Sequence, residues 1–180
     1  MRIKKENSIA LIIDIQSRLF PFIHGNEQLS KNVRKLIQGL NVLGIEQIVT
    51  EQYRKGLGET IPEIQALYSE FKYLEKSTFS CCGDSNILSA VKNSGKEFII
   101  IAGIESHVCV LQTVLDLLDD GYTPVLVEDC VSSRNPNDKR IAVDRMHSEG
   151  ALITTYESLL FELLEVSGTE QFKAISKIVK

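Results

Sequence analysis

The chain has 180 residues and a mass of 20.2 kDa, which fits a single domain. Hydrophobic residues make up 43% of it and charged residues 24%, proportions that exclude a disordered chain and allow a sizeable core. The formal net charge is −4 and Trp is absent, which argues against a nucleic-acid-binding or membrane-binding protein. We therefore expect one domain over residues 1–180, with a small-molecule substrate and neither a nucleic-acid nor a membrane partner.

The start of the chain and its cysteines bear on the compartment. Residues 1–7 form a short polar segment. The apolar run 9–13 that follows is broken by Asp14, so we expect it to be neither a signal-peptide core nor a membrane span. The four cysteines form no Cys-x-x-Cys motif and have no zinc-site spacing. Free thiols are typical of a reducing compartment, so we expect a cytoplasmic protein.

Short apolar runs alternate with helical patterns along the whole chain. The predicted strands are residues 8–14, 45–50, 71–74, 98–102, 124–128 and 151–154. The predicted helices are 32–43, a short one after Pro62, 85–91, 108–118, 138–148, 158–166 and 171–178. Strands that are apolar throughout and separated by helices indicate a parallel sheet covered on both faces. The pattern predicts an α/β fold, a three-layer doubly wound sandwich around a mostly parallel six-stranded sheet.

Three residues whose side chains could take part in catalysis lie where predicted strands end. Asp14 closes the first strand, Lys76 follows the third, and Cys109 lies just beyond the fourth. The carboxyl ends of parallel strands share one edge, so a base, a cation and a nucleophile could meet there. Each also has an ordinary explanation when taken alone: a turn residue, a solvated lysine and a small hydrophobe in a helix.

The sequence around Cys109 favours a nucleophile. Ser106 is a good helix N-cap, which would make Cys109 the third helical residue and expose its sulfur to the field of the helix N-terminus. That field favours a thiolate. A strand, a tight turn, a nucleophile and a helix also have the geometry of a nucleophile elbow, although the Gly-x-Ser-x-Gly pattern is missing.

At this point the residues resemble a known family. The matching segments are Asp14-Ile15-Gln16, Lys76-Ser77-Thr78-Phe79-Ser80, Gly103-Ile104-Glu105-Ser106-His107-Val108-Cys109-Val110 and 128–134. In this order, and at strand ends, they resemble the isochorismatase-like cysteine hydrolases, a superfamily that includes nicotinamidases and N-carbamoyl amidohydrolases. The third segment, together with Thr50-Glu51-Gln52-Tyr53, is most similar to the isochorismatase domain-containing branch. The resemblance extends from Ile9 to about Leu164.

This resemblance implies roles for particular residues. It implies a catalytic triad of Asp14, Lys76 and Cys109 and a cis peptide bond just before Glu105. It also implies an oxyanion hole formed by the backbone amides of Glu105 and Cys109.

The chain departs from the metal-binding relatives. Metal-dependent nicotinamidases carry an Asp-x-His arrangement and a further His after the second strand, whereas this chain has Glu51 and Gln52 there and no His between His24 and His107. We therefore expect no metal and no cofactor. True isochorismatases lack the nucleophilic cysteine, so Cys109 argues against vinyl-ether hydrolysis.

The remaining candidates concern the substrate pocket. We expect substrate contacts from Gln16, Phe20, Gln52 and Phe79, although Gln16 could instead orient Asp14, and the aromatic rings could belong to the core. His24, His107, Cys81 and Cys82 could also lie near the pocket. For His107 we favour a capping or supporting role, because residues two apart on a helix or turn face different ways.

The sequence thus predicts a cysteine hydrolase that cleaves a C–N bond of a small amide or ureido substrate through a thioester on Cys109. The alternatives are a nicotinamidase-type or isochorismatase-type hydrolase on the same scaffold, and a catalytically silent oligomeric binding protein. A homo-oligomer is expected in each case, because the C-terminal segment offers apolar side chains beyond the needs of one small sheet: Phe161, Leu163, Leu164, Ile175 and Ile178.

Overall fold

The computed structural model describes all 180 residues, and its centre is one sheet of six parallel strands. The strands are β1 Ser8–Ile13, β2 Gln47–Gln52, β3 Leu74–Lys76, β4 Phe98–Ile104, β5 Thr123–Ser132 and β6 Leu152–Thr154. The helices are α1 Asn26–Leu43, α2 Arg54–Leu57, α3 Pro62–Gln65, α4 Ser85–Ser94, α5 Leu111–Asp119, α6 Pro136–Glu149, α7 Tyr156–Leu164 and α8 Glu170–Val179. The predicted α/β sandwich is confirmed.

The order of the strands creates a crevice at the carboxyl edge of the sheet. The order is β3-β2-β1-β4-β5-β6, so the chain winds outward in one direction after β1 and in the other after β4. In sheets of this kind, ligands bind where the winding direction switches, beyond the carboxyl ends of the two central strands. Here Ile13, at the end of β1, pairs with Gly103 of β4 on one side and with Thr50 of β2 on the other.

Hydrophobic packing on both faces fixes this edge in place. Along β1 the side chains alternate: Ile9, Leu11 and Ile13 pack in one core, while Ala10 and Ile12 pack in the other. The first core is covered by α4, α5 and α6, and the second by α1, α7 and α8. Every residue of β1 and of β4 is buried, which explains why these strands read as continuous apolar runs.

Two predicted elements are displaced along the chain. The third strand comprises Leu74–Lys76 instead of 71–74, because Leu74 pairs with Thr50 and Lys76 with Gln52. Helix α1 begins at Asn26, six residues earlier than predicted, after Gly25 in a left-handed conformation. None of the helices combines the length and the hydropathy that a transmembrane span requires.

The C-terminal segment does not provide the apolar surface from which an oligomer is expected. Leu163, Leu164 and Ile175 are buried inside the chain, where α7 and α8 pack against α1. They complete the core of this subunit and leave little apolar surface for a second one. Phe161 is exposed by 36% and contacts Phe172.

Candidate active site

A buried ion pair lies at the carboxyl edge of the sheet. Asp14 directly follows β1 with a φ of 53°, and Lys76 is the last residue of β3. The Lys76 Nζ donates a hydrogen bond of 2.6 Å to Asp14 Oδ2, and their side chains are 0% and 1% exposed. Thr50 Oγ1, on the strand between them, donates to Asp14 Oδ1 at 2.7 Å. The structure therefore brings together two of the three predicted catalytic residues in direct contact.

The Lys76 ammonium is fully bonded within the chain. Besides Asp14, it donates to Gln52 Oε1 at 2.7 Å and to the Phe79 carbonyl oxygen at 3.0 Å. Burial acts to lower the pKa of Lys76, but the negative charge of Asp14 and those of Cys81 and Cys109 in their ionised forms outweigh it, and the net pKa is raised. Lys76 is thus a fixed positive charge.

The turn that carries Cys109 follows the other central strand. The peptide bond between Ile104 and Glu105 is cis, and Ser106–Val110 forms one π-helical turn in which the Val110 N–H donates to the Glu105 carbonyl oxygen at 3.2 Å. Such turns are frequent at functional sites. The predicted N-cap is wrong: the cap position is Glu105, and the buried Ser106 Oγ forms no hydrogen bond. Helix α5 continues directly from this turn.

Cys109 is a protonated thiol at rest. It is 7% exposed, and its pKa is raised to about 12, first by burial and then by the Asp14 carboxylate, against the opposing effect of Lys76. The field of the helix N-terminus favours a thiolate, but desolvation and a nearby negative charge outweigh it here. Cys109 lies within the electrostatic reach of both Asp14 and Lys76, so all three residues share one small region.

Glu105, the residue that precedes the cysteine turn, presents a free backbone donor. Its N–H donates to no other atom of the chain, although the residue is 7% exposed. Its carboxylate is held away from that amide, since Oε2 accepts hydrogen bonds from the backbone N–H and the Nε of Arg134, both at 3.0 Å. The turn is thus anchored to the loop after β5. His107 Nδ1 lies 2.9 Å from Ser133 Oγ on that same loop, which agrees with the supporting role favoured for His107.

A threonine connects Cys109 to the neighbouring cysteine turn. Thr113 Oγ1 donates to the Cys109 carbonyl oxygen at 2.7 Å and accepts from the Cys81 N–H at 2.9 Å. Cys81 is fully buried, and burial followed by Asp14 raises its pKa to about 11. The pKa of the partly buried Cys82 is also raised, to about 12, and burial is the largest cause. Cys81 thus packs against the ion pair from within the core.

The four predicted substrate contacts divide into two groups. Gln16 is fully buried: its Oε1 accepts from the Gln52 N–H at 2.7 Å, and its Nε2 donates to the Gln52 and Gly58 carbonyl oxygens. Gln52 holds Lys76 and donates to the Ser77 carbonyl oxygen at 2.9 Å. The side-chain amides of Gln16 and Gln52 therefore hold neighbouring parts of the chain in position. Phe79 is 53% exposed beside the Lys76 loop, whereas Phe20 is partly buried against the core.

Glu51, at the position where the nicotinamidases carry metal ligands, already forms hydrogen bonds and an ion pair within the chain. Glu51 is fully buried, and its Oε1 accepts from the Thr60 N–H at 2.7 Å and from the Thr60 hydroxyl at 2.9 Å. Its Oε2 pairs with Arg54 at 2.9 Å, which places a positive charge where a cation would have to bind. No group of three His, Cys, Asp or Glu residues is arranged to hold a metal ion.

Two residues of this site were not foreseen from the sequence, Thr50 and Thr113. Thr50 carries a weak signal, because it begins the polar run Thr50-Glu51-Gln52 at the carboxyl end of β2, next to the strand that Asp14 follows. Thr113 carries none, since a threonine in a helix is ordinary and its partners come from a distant turn.

This doubly wound parallel sheet, with a buried Asp–Lys pair and a cysteine turn at its switch point, is an α/β fold of the isochorismatase type. The family model described as "Isochorismatase domain" matches residues 8–158, and the chain belongs to that family of hydrolases. It falls in the isochorismatase domain-containing branch.

Individual relatives match over almost the full chain. Isochorismatase family protein 1B of Dictyostelium discoideum is 39% identical over 99% of this chain and 89% of its own length. Isochorismatase domain-containing protein 2 of Danio rerio is 35% identical over the same shares. A solved structure described as the MAR1 ribonuclease of Caenorhabditis elegans superposes with a TM-score of 0.93 at 36% identity, covering 99% of this chain and 92% of that one.

Proposed function

We propose that this protein is a cysteine hydrolase that cleaves the C–N bond of a small amide or ureido substrate through a thioester on Cys109. The observation that carries the proposal is the buried Asp14–Lys76 pair at 2.6 Å beside a protonated thiol, on a turn whose Glu105 amide is unpaired. A base, a fixed cation, a nucleophile and an oxyanion donor are the parts that acyl transfer requires.

In the proposed first half-reaction, Asp14 takes the thiol proton of Cys109 as the sulfur attacks the substrate carbonyl carbon. The negative charge moves to the carbonyl oxygen, which the backbone amides of Glu105 and Cys109 hold. The C–N bond then breaks, and Asp14 gives its proton to the leaving nitrogen. A thioester on Cys109 and a free amine or ammonia result.

In the second half-reaction Asp14 accepts a proton from water, which attacks the thioester carbonyl at the same oxyanion position. The C–S bond breaks, the sulfur recovers the proton from Asp14, and the carboxylic or carbamic acid leaves. Lys76 remains charged throughout, because its three shortest hydrogen bonds hold it against Asp14, Gln52 and the Phe79 carbonyl. Its charge offsets Asp14 before the proton transfer and favours the thiolate afterwards.

The resting state has a physical rationale in this scheme. The raised pKa of Cys109 keeps the sulfur protonated until a substrate is bound, so the proton that the leaving nitrogen needs is already in the site. A free thiolate would lack that proton and would react with unrelated electrophiles. Phe79, exposed beside the Lys76 loop, is proposed as an apolar wall for the substrate, and Phe20 as part of its support.

The test is a screen of small amides and N-carbamoyl amino acids for ammonia release, with the Cys109→Ala variant as the negative control. A Cys82→Ala variant is the matched control, because it removes a thiol from the neighbouring turn without touching the proposed triad. Turnover by the wild type and by Cys82→Ala, with none by Cys109→Ala, is expected. Equal turnover by all three would contradict the proposed nucleophile.

RNA hydrolysis is a second candidate, favoured by the description of the 36% identical Caenorhabditis elegans protein as a ribonuclease. It is opposed by the net charge of −4 and by a proposed nucleophile that is only 7% exposed. Incubation of the wild type and of Cys109→Ala with a labelled single-stranded RNA distinguishes the two functions. Cleavage by both proteins would support a ribonuclease that works without Cys109.

We also propose that residues 1–180 act as one hydrolase domain in the cytoplasm, where four free thiols would stay reduced.

A homo-oligomer is also proposed, now from exposed aromatic side chains in place of the C-terminal segment. Phe22, Tyr53 and Phe79 are exposed by 70%, 55% and 53%, and they belong to the loops that follow the first three strands. Aromatic residues are enriched at the centres of protein–protein interfaces. Sedimentation velocity at micromolar concentration tests this, and a monomer would contradict it.

A further inference from the structure

A groove with only positive charge lies between α1 and α8, away from the proposed catalytic residues. It has a volume of about 400 Å³ and is lined by six residues: Lys31, Arg34, Lys35, Gln38, Lys177 and Ile178. Four of them are cations and none is a carboxylate. In a chain with a net charge of −4, such a concentration of one sign is unexpected from composition.

The cations of this groove are not neutralised within the chain. The ion pairs of the structure use eight other lysines and arginines: Arg54, Lys72, Lys76, Arg134, Lys139, Arg140, Arg145 and Lys173. Arg34 and Lys35 lie three and four residues after Lys31 on α1, spacings at which like charges repel one another. The unliganded groove therefore carries an electrostatic cost that a bound anion would remove.

One cation of the groove is held in a fixed position. Lys35 Nζ donates to the Val179 carbonyl oxygen at 2.8 Å and lies 5.6 Å from the centre of the Tyr156 ring. These contacts tie α8 to α1 and reduce the freedom that Lys35 would lose on binding a ligand. Arg34 and Lys177 stay exposed on either side of it, one on each helix. The groove thus has one cation held by contacts within the chain, flanked by exposed ones.

We propose that this groove binds a multiply charged phosphate anion, as a site separate from the proposed catalytic centre. The guanidinium of Arg34 can form two parallel hydrogen bonds to phosphate oxygens, and the lysines add point charges around it. A volume of about 400 Å³ is sufficient for several linked phosphate groups. The phosphates can belong to a free oligophosphate or nucleotide, or to the backbone of RNA.

The test is calorimetric titration of the full chain with tripolyphosphate. The double variant Arg34→Gln/Lys177→Gln removes one cation from each wall, and Lys4→Gln/Lys92→Gln removes two exposed, unpaired lysines elsewhere for the same change in net charge. We expect saturable binding by the wild type, a loss of about tenfold or more in the groove variant, and a change within about twofold in the control. Lys31→Gln, a milder change, should weaken binding about threefold.

Two results would overturn the proposal: no saturable binding by the wild type, or an equal loss in the groove and control variants. The Cys109→Ala protein should bind tripolyphosphate as the wild type does, so the outcome is independent of the proposed hydrolase activity. Competition by a single-stranded RNA decamer, measured with Cys109→Ala, distinguishes the two sources. If the decamer displaces tripolyphosphate and loses affinity in the groove variant, the site binds the RNA backbone; if it does not, the site binds free oligophosphates.

Discussion

The replacement of Lys76 by Met tests whether the ion pair is buried and paired as the structure has it. The variant keeps most of the volume of the side chain but leaves the Asp14 carboxylate, 1% exposed, without its cation. It also leaves Gln52 Oε1 and the Phe79 carbonyl oxygen without their donor. Breaking a buried pair by removing one partner costs about 3–5 kcal/mol, because the remaining charge is desolvated and uncompensated. We expect a loss of that size, with a fall in Tm of roughly 10 °C.

Urea denaturation of four variants measures this effect. Asp14→Asn/Lys76→Met should lose less stability than the sum of its single variants, with a coupling of about 1–3 kcal/mol, since it leaves no buried charge unpaired. Lys72→Met is the matched control, because Lys72 lies just before the same strand and its ion pair with Glu70 is 75% exposed on both sides. Its loss should stay within about 0.5 kcal/mol. If Lys76→Met costs no more than Lys72→Met, the buried pair is refuted.

Three further predictions follow from the site. The rate of Cys109 alkylation in the free protein should rise about tenfold per pH unit between pH 8 and 10, because the reactive thiolate forms only as the pH approaches a pKa of about 12. An alkylation rate that is already constant above about pH 7 would contradict this. Gly103→Ala should lower the free energy of unfolding by more than about 2 kcal/mol, since a Cβ there would overlap the Ile13 backbone. Gly44→Ala, which has open space around the new Cβ, should lower it by only about 1 kcal/mol. Equal losses in thermal unfolding would contradict the close approach of Gly103 to Ile13. Dialysis against a strong chelator should leave turnover unchanged and added zinc should inhibit it, so restoration of lost activity by a metal would contradict the proposed mechanism.

Much of the fold was predictable because the hydrophobic pattern is unambiguous. Strands such as Ser8–Ile13 and Phe98–Ile104 are apolar on both faces, and the helices between them have single apolar stripes. That combination allows few architectures, and the six-stranded parallel sheet follows from it. The boundary of β3 was missed because its position depends on pairing with Thr50–Gln52, a contact between distant residues.

The site was predictable only in part. The chain order of Asp14 and Lys76 at strand ends indicated that they meet, whereas the hydrogen bonds of Gln16 and Gln52 depend on how two loops fold over each other. The helix N-terminus is the local feature visible in the sequence, and its field favours a thiolate on Cys109. Its raised pKa reflects burial and the Asp14 charge, and both arise from tertiary packing that no local pattern contains.

The thioester on Cys109 can be tested by measuring the mass of the protein during turnover. The wild type is mixed with the best substrate from the amide screen, quenched in acid within milliseconds, digested and analysed by mass spectrometry. We expect one acyl group on the peptide that contains Cys109, which disappears as product forms. An acyl group on Cys81 or Cys82, or undiminished turnover by Cys109→Ala, would contradict it.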